Sequence, residues 1–275
     1  MNATHAHHDG NLRDDLRLIL SRRRALALGA AGVLLAGCDG WPFGGEANAQ
    51  ATAADGSTCI KLPREMAGPF PANGTNARAG ATVNVLDQAG IIRADMRSSF
   101  GEYSDVAEGV PLALELRLAD VGNACRPLAG HLIYLWQCDA AGSYSLYERT
   151  ASNNLRGAAV ADAEGIARMM TIFPGCYPGR WPHIHLEVFA SPEQAAAGKG
   201  SLLISQLAFA RPDCDAVYAA HPAYAGSTAA LAELSPGSDV IFRNNSAEQL
   251  AAQTLVLRGD PAQGYAAAGT IGIIA

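Results

Sequence analysis

The chain has 275 residues, of which 49% are hydrophobic and 17% are charged, and its formal net charge is −6. This composition supplies enough apolar material for a packed core and excludes global disorder. The acidic balance, with no basic block beyond the N-terminus, argues against a nucleic-acid binder that works through a basic face. No apolar run reaches the roughly 18–20 residues that a membrane-spanning helix needs.

The N-terminal region has the pattern of an export signal. Three arginines at 22–24 precede an apolar stretch at 25–36, which is too short to span a membrane and is typical of a twin-arginine signal peptide. The stretch ends in Leu-Ala-Gly-Cys, which resembles a lipobox with Cys38 as the acylated first residue. We therefore expect a signal peptide at 1–37 and an exported lipoprotein on the extracytoplasmic side, held to the membrane only by its lipid. The alternative is an N-terminal helix with a chance run of arginines.

The region that follows Cys38 divides into a tether and a domain. Residues 38–58 are small, polar and rich in Gly and Ala, which favours a flexible tether. From residue 59, strand patterns dominate, and the leucines at 112, 114, 116 and 118 alternate with other residues as in a half-buried strand. Many short strands predict an all-β fold, a β-sandwich over 59–275. Further strands are predicted at 83–86, 132–137, 166–173, 184–189, 202–209, 240–242, 255–257 and 271–274, and short helices at 192–197, 213–220 and 228–234.

Five cysteines follow Cys38, at 59, 125, 138, 176 and 214. An odd number leaves at least one thiol free or paired between chains, and disulfides are expected outside the cytoplasm. The first hypothesis for a bridge is Cys138–Cys176, because each lies close to a candidate metal ligand. A cysteine-rich metal site is disfavoured because no Cys-x-x-Cys pair occurs.

Two histidines in one strand are the first sign of a metal site. Residues i and i+2 of a strand point to the same face, so His183 and His185 can present two imidazoles to one ion. A hard trivalent cation also needs anionic oxygen ligands; no carboxylate lies between Tyr177 and His185, and Tyr177 is the nearby oxygen donor. Two alternatives stay open here. The histidines are core or surface residues, or they bind zinc in a hydrolase that uses Glu187.

Several segments in the correct order resemble one enzyme family. Residues 177–185 read YPGRWPHIH and residues 135–144 read LWQCDAAGSY. Both resemble the iron-site segments of the intradiol ring-cleavage dioxygenases, which act on catechol, protocatechuate and hydroxyquinol. Shorter similarities occur at 155–157 (LRG), 204–207 (ISQL) and 68–70 (GPF), where Phe70 replaces a tyrosine that is common in the family. Together these matches cover roughly residues 59–210.

The resemblance implies a site, a cofactor and a reaction. The implied ligands of one Fe(III) are Tyr144, Tyr177, His183 and His185, with Tyr177 displaced by substrate and acting as a base. Arg180 would stabilise charge on the substrate ring, Gln206 would lie beside the substrate, and Gly68, Pro69 and Phe70 would line its pocket. The implied reaction cleaves a catechol-type ring between its two hydroxyl-bearing carbons with O2 and gives a muconate-type diacid. The alternative is a non-catalytic β-sandwich lipoprotein that binds an aromatic ligand or a partner.

Overall fold

The computed structural model describes residues 49–53, 56 and 58–275. The predicted signal peptide, the lipidation site Cys38 and the first part of the predicted tether lie outside the described residues. The ordered domain begins before the expected boundary at 59, because Gln50–Thr52 pairs antiparallel with Thr58–Ile60. Within the described residues, no helix has the length and apolar character to cross a membrane.

Strands form most of the described chain, as the sequence predicts. In chain order they are β1 (Gln50–Thr52), β2 (Thr58–Ile60), β3 (Asn73–Arg78), β4 (Ala81–Asn84), β5 (Pro111–Asp120), β6 (Arg126–Pro127), β7 (Leu132–Trp136), β8 (Arg156–Val160), β9 (Ile166–Ile172), β10 (His183–Phe189), β11 (Leu203–Ala208), β12 (Val256–Asp260) and β13 (Gly264–Ile273). The strands predicted at 132–137, 166–173, 184–189 and 202–209 are confirmed. The sequence patterns missed β3 and β8 and found only the last part of β13.

The helices are few and short. They are α1 (Pro192–Ala196), α2 (Arg211–Ala220), α3 (Ala225–Ala232) and α4 (Ala247–Gln253). The first three were predicted and α4 was not. The strand predicted at 240–242 is wrong: Phe242–Asn244 forms a 3-10 turn. The cause is Asp239, whose Oδ1 accepts hydrogen bonds from the backbone N–H groups of Ile241 and Phe242 and so turns the chain.

Two larger sheets enclose the main core. One has the strand order β11-β10-β7-β8, and the other has the order β12-β13-β5-β6 with β9 also paired to β5. The first sheet is antiparallel throughout, whereas β13 runs parallel to β5 in the second. Buried side chains of both sheets belong to one apolar cluster, which confirms the predicted sandwich.

Strand β10 contributes buried side chains to both faces of its sheet. Ile184, Leu186 and Val188 belong to the main core together with the alternating leucines of β5. The intervening residues His183, His185 and Glu187 are also buried, and by the period-2 geometry of a strand they point away from that core. A second apolar cluster, which includes Tyr134 and Trp136 of β7, covers this outer face. A site on the outer face is therefore buried under loops.

The disulfide differs from the one hypothesised. Cys59 and Cys125 are bridged, with their Cα atoms 5.9 Å apart. Cys138, Cys176 and Cys214 are free and buried, so the Cys138–Cys176 hypothesis is wrong. The Cys138 thiol donates to the carbonyl of Gly175 and the Cys176 thiol to that of Ser227. The loop of Cys138 is thus bonded to the loop that carries Cys176, and that loop in turn to the segment of Ser227.

Candidate metal centre

The two histidines of β10 present their Nε2 atoms to one point. These atoms are 3.0 Å apart. The Nδ1 atom of His183 lies 2.5 Å from the carbonyl oxygen of Trp181; because a carbonyl only accepts, Nδ1 carries the proton and Nε2 has the free lone pair. Burial, followed by the charge of Arg180, lowers the pKa of His183 to about 3. Burial, followed by the charge of His183, also lowers the pKa of His185 well below its usual value. Both rings are neutral at pH 7.

Two tyrosines from separate loops complete the cluster. The Tyr144 hydroxyl lies 3.2 Å from His183 Nε2 and 3.5 Å from the Tyr177 hydroxyl. The two loops approach closely because both contain glycine at the contact. A Cβ on Gly142 would lie 2.6 Å from the Cys176 carbonyl oxygen, and one on Gly175 would lie 2.5 Å from the Asp139 carbonyl oxygen. The four predicted ligands therefore come together.

The donor set suits a cation of high charge. Bonds of about 2.1 Å to one ion give donor–donor separations of about 3.0–3.4 Å, close to the 3.0–3.5 Å observed among the four side chains. Burial, followed by the neighbouring Tyr177, raises the pKa of Tyr144 well above its usual value. A phenol in this position becomes an anionic ligand only when a cation favours the charged form. Two imidazoles and two phenols thus fit Fe(III), which accepts tyrosinate oxygen.

A zinc hydrolase centre has no third donor of the expected kind. Among residues 49–53, 56 and 58–275, no group of three or more His, Cys, Asp or Glu side chains lies in position to hold a metal. Glu187, the carboxylate that such a site would use, instead accepts a hydrogen bond of 2.8 Å from the Asn73 side chain. The oxygen donors beside the histidines are phenolic.

Arg180 lies at the edge of the cluster and is fully buried. One of its terminal nitrogens, Nη1, lies 3.5 Å from the Tyr177 hydroxyl, and the other, Nη2, donates to Oε1 of Gln206. Gln206 lies on β11 directly opposite His185 of β10, and its own side-chain nitrogen donates to the carbonyl of Met66. Arg180 and Gln206 thus lie next to the four candidate ligands and are hydrogen-bonded to each other; their predicted roles toward a substrate stay predictions.

The Gly-Pro-Phe segment lies against the cluster mainly through its last residue. The Phe70 ring centroid is 5.0 Å from that of Tyr144, and the Phe70 carbonyl accepts from the Arg156 guanidinium. The Pro69 carbonyl accepts from the side chain of Asn76. Gly68 has a φ of +71°, a turn that suits glycine. Phe70 therefore contacts a ligand ring, whereas Gly68 and Pro69 shape the backbone that leads to it.

Arg156 is a buried cation whose partners are all neutral. Its guanidinium donates to oxygens of Ser145, Phe70 and Tyr134. It also lies over the Tyr147 ring, 5.3 Å from the centroid. Arg156 thus joins the loop of Tyr144 to the Gly-Pro-Phe segment.

Three further residues lie beside the site; Trp136 falls within the segment 135–144, whereas Asp239 and Glu65 belong to no motif. Trp136 stacks on the His185 ring, with centroids 4.8 Å apart and planes inclined by 3°. Asp239 accepts from Nε of Arg180 at 3.1 Å. Burial is the largest single influence and would raise the pKa of Asp239, but the charge of Arg180 together with other contacts outweighs it and lowers that pKa below its usual value. The register of β7 and β10, which pairs Trp136 with His185, is the one signal that could have identified any of the three.

Glu65, the third of these residues, has a buried carboxyl group that is linked to Gln206 through the side chain of Gln253. Its Oε1 accepts from the side chains of Asn245 and Gln253, and Gln253 also donates to the Gln206 carbonyl. Burial raises the pKa of Glu65 to about 7, against the opposing effects of these hydrogen bonds and of Arg180. At a pH between the unfolded and folded pKa values, the folded state therefore holds a proton that the unfolded state has lost.

We predict that the free energy of unfolding falls as the pH rises, because the Glu65 carboxyl of the folded state must give up its proton. Between about pH 4.3, the pKa of Glu in the unfolded chain, and pH 7, the contribution of Glu65 to the free energy of unfolding falls by about 2–3 kcal/mol. Glu65→Gln keeps the acceptor for Asn245 and Gln253 and removes the ionisation, so the variant should gain stability relative to wild type across this range. Urea unfolding at a series of pH values measures the difference. Glu102→Gln, at an exposed turn, controls for the loss of one carboxylate, and parallel Glu65→Gln and wild-type profiles would contradict the prediction.

Comparisons with known proteins identify the family of the chain. A family model described as Dioxygenase matches residues 93–235, just over half of the chain and a range that contains all four candidate ligands. The protocatechuate 3,4-dioxygenase beta chain of Burkholderia cepacia is 33% identical over 121 residues, which cover 38% of this chain and 48% of that protein. The match thus spans about half the length of this curated relative.

A solved structure supports the fold. The intradiol ring-cleavage dioxygenase of Tetranychus urticae superposes with a TM-score of 0.59 at 22% identity, covering 78% of this chain and 94% of that one. At this identity the likeness establishes the fold alone, and the family model carries the assignment. The chain belongs to the intradiol ring-cleavage dioxygenase family.

Proposed function

We propose that this protein is a ferric-iron-dependent intradiol dioxygenase that opens the ring of a catechol-type diol with O2 to give a muconate-type diacid. The observation that carries the proposal is the convergence of four donors, from Tyr144, Tyr177, His183 and His185, within 3.0–3.5 Å of a neighbouring donor. Arg180 beside Tyr177 supports a role in aromatic diol chemistry rather than a purely structural metal site.

The ligand side chains would hold the ion and receive a proton. Bound Fe(III) would supply a Lewis acid that acidifies a chelated diol and draws electron density from its ring. The Tyr177 phenolate is the better candidate of the two for proton acceptance, because Tyr177 is more exposed than Tyr144. The adjacent guanidinium of Arg180 would stabilise that phenolate before the proton arrives. The Tyr177 phenolate oxygen, once released, would take a proton from a substrate hydroxyl. Tyr144, packed under Phe70, would stay in place.

Arg180 would stabilise negative charge on the substrate. A buried and preorganised cation acts strongly on charge that develops nearby, because no water reorganises around it. Gln206 accepts a hydrogen bond from one terminal nitrogen of Arg180 and would keep the guanidinium plane oriented toward the bound diol. Together the two residues would favour an electron-rich ring beside the metal.

The colour of the purified protein tests this proposal. Iron-loaded protein should be wine-red through tyrosinate-to-iron charge transfer, and the absorption should shift when catechol is added. An oxygen electrode should then record uptake with at least one member of a catechol panel. Colourless protein at full metal occupancy, or coloured protein that consumes no oxygen with any diol, would contradict the proposal; the second result would favour an aromatic-binding lipoprotein.

We also propose that the chain is a twin-arginine-exported lipoprotein acylated at Cys38 and that its enzyme domain works outside the cytoplasm. The Cys59–Cys125 bridge supports this location, because disulfides persist mainly in oxidising compartments. Metabolic labelling of the full chain with a radioactive fatty acid tests it, with Cys38→Ser as the control that should lose the label. Equal labelling of the two chains would contradict the lipidation site.

A further inference from the structure

Asp239 is a fully buried carboxylate outside the range matched by the family model. Each of its oxygens accepts two hydrogen bonds. Oδ2 accepts from Nε of Arg180 at 3.1 Å and from the backbone N–H of Trp181 at 2.6 Å. Oδ1 accepts from the backbone N–H groups of Ile241 and Phe242 at 2.7 and 3.0 Å. The carboxylate is therefore fixed by its own segment and holds two groups of the segment that carries the ligands.

The bond to Nε fixes how the Arg180 guanidinium is presented. A guanidinium is a planar fork with donors on three nitrogens. With Nε held by Asp239, the two terminal nitrogens lie toward Tyr177 and Gln206. A rotation of the plane would break the Nε bond to a buried, charged acceptor, and such bonds are among the stronger hydrogen bonds in proteins.

The bond to Trp181 acts on the backbone between two ligands. Trp181 lies between Tyr177 and His183 in the sequence, and its carbonyl accepts from His183 Nδ1. One carboxylate oxygen thus holds both the Arg180 side chain and the backbone N–H of Trp181, the residue whose carbonyl orients His183. A negative charge at this point also compensates the charge of the buried Arg180 guanidinium, whose transfer out of water is costly.

We propose that Asp239 is a positioning residue that fixes the Arg180 guanidinium with both terminal nitrogens toward the substrate side of the metal centre. This inference rests on the proposed function, because it takes Arg180 as the group that stabilises charge on the substrate. Asp239 itself acts only through Arg180 and the adjoining peptide.

A double-mutant cycle tests the proposal with Asp239→Asn, Arg180→Met and the double variant. Asn keeps the shape of Asp239 but loses its charge and one of its two acceptors. With catechol as the probe and iron-loaded protein, Asp239→Asn should lower kcat about 100-fold, the scale of a misplaced catalytic group, while the visible charge-transfer band is retained. In protein that already carries Arg180→Met, Asp239→Asn should cause no further loss of kcat, because the guanidinium that Asp239 holds is absent.

Thermal unfolding of the metal-free proteins gives a readout that is independent of activity. Asp239→Asn leaves a buried cation without its partner and Arg180→Met leaves a buried anion, so each should lower the Tm. The double variant should have a Tm no lower than that of Asp239→Asn. Asp120→Asn is the matched control: Asp120 is also a buried carboxylate that caps a turn, but it lies in a different part of the fold, so its effect should add to that of Arg180→Met.

The outcomes separate the two proposals. The proposed role of Asp239 would be overturned if the fold-losses of kcat caused by the two single substitutions multiplied in the double variant and their losses of Tm added. This would hold even if the wild-type protein were active. A wild-type protein that takes up iron but no oxygen would overturn the proposed function. The Tm cycle would then still decide whether Asp239 holds Arg180.

Discussion

His183→Ala should abolish both iron retention and oxygen uptake. His183 Nε2 is the central donor of the cluster, 3.0 Å from His185 Nε2 and 3.2 Å from the Tyr144 hydroxyl, so its removal leaves three donors without the one that joins them. We expect the visible charge-transfer band to disappear and catechol-dependent oxygen uptake to fall below detection. Iron analysis, the visible spectrum and an oxygen electrode measure the three effects.

Two further variants make this prediction specific. Tyr177→Phe keeps the ring and removes only the hydroxyl, so it should also abolish oxygen uptake. His221→Ala is the matched control, because the His221 side chain accepts from the backbone N–H of Ala223 at the start of a 3-10 turn and contacts none of the four donors. If His221→Ala were as inactive as His183→Ala, the assignment of the ligands would be wrong.

Loss of the Cys59–Cys125 bridge should lower the free energy of unfolding by about 2–5 kcal/mol. The bridged residues are 66 positions apart, so the bond restricts a long loop of the unfolded chain. Both cysteines belong to a small buried cluster that is separate from the cluster around the metal centre. We therefore expect the visible spectrum of the iron-loaded protein to survive the double substitution Cys59→Ala/Cys125→Ala, which removes the bridge without a reductant that would also act on Fe(III), while stability falls.

Guanidinium chloride unfolding with and without reductant measures this effect. The double variant Cys59→Ala/Cys125→Ala should have the stability of reduced wild type, and reductant should leave it unchanged. A wild-type protein equally stable under both conditions, with the bridge shown to be reduced, would contradict the prediction. A change in the variant would show that the reductant acts on another group.

The sequence predicted the elements whose signal is local. The leucines of β5 alternate, and β10 carries two histidines two residues apart; in both strands the period of side-chain direction alone indicates which residues share a face. The tyrosine ligands were placed by the family resemblance. A tyrosine such as Tyr144, in a loop between strands, has no local pattern that separates a ligand from a packing residue.

The partners of the ligand region depend on contacts that are distant in the chain. Asp239 lies 59 positions after Arg180, and Glu65 reaches Gln253 across 188 positions. The same reason explains the wrong disulfide, since proximity to candidate ligands says nothing about which sulfur atoms meet. Strand β8, which reads RGAAV, was missed because small and mixed residues give no alternation, although its Arg156 is buried and bonded to the loop of Tyr144.

Strand β10 should tolerate substitutions on its core face better than insertions or deletions, because its two faces contact different parts of the fold. Substitution of Ile184, Leu186 or Val188 by an apolar residue of similar volume affects only the sandwich core. Insertion or deletion of one codon within the strand would exchange the two faces, so that imidazoles would enter the sandwich core and aliphatic side chains would face the candidate metal centre. Natural variants of this segment should therefore differ in side chains and retain an unchanged number of residues between Trp181 and Phe189.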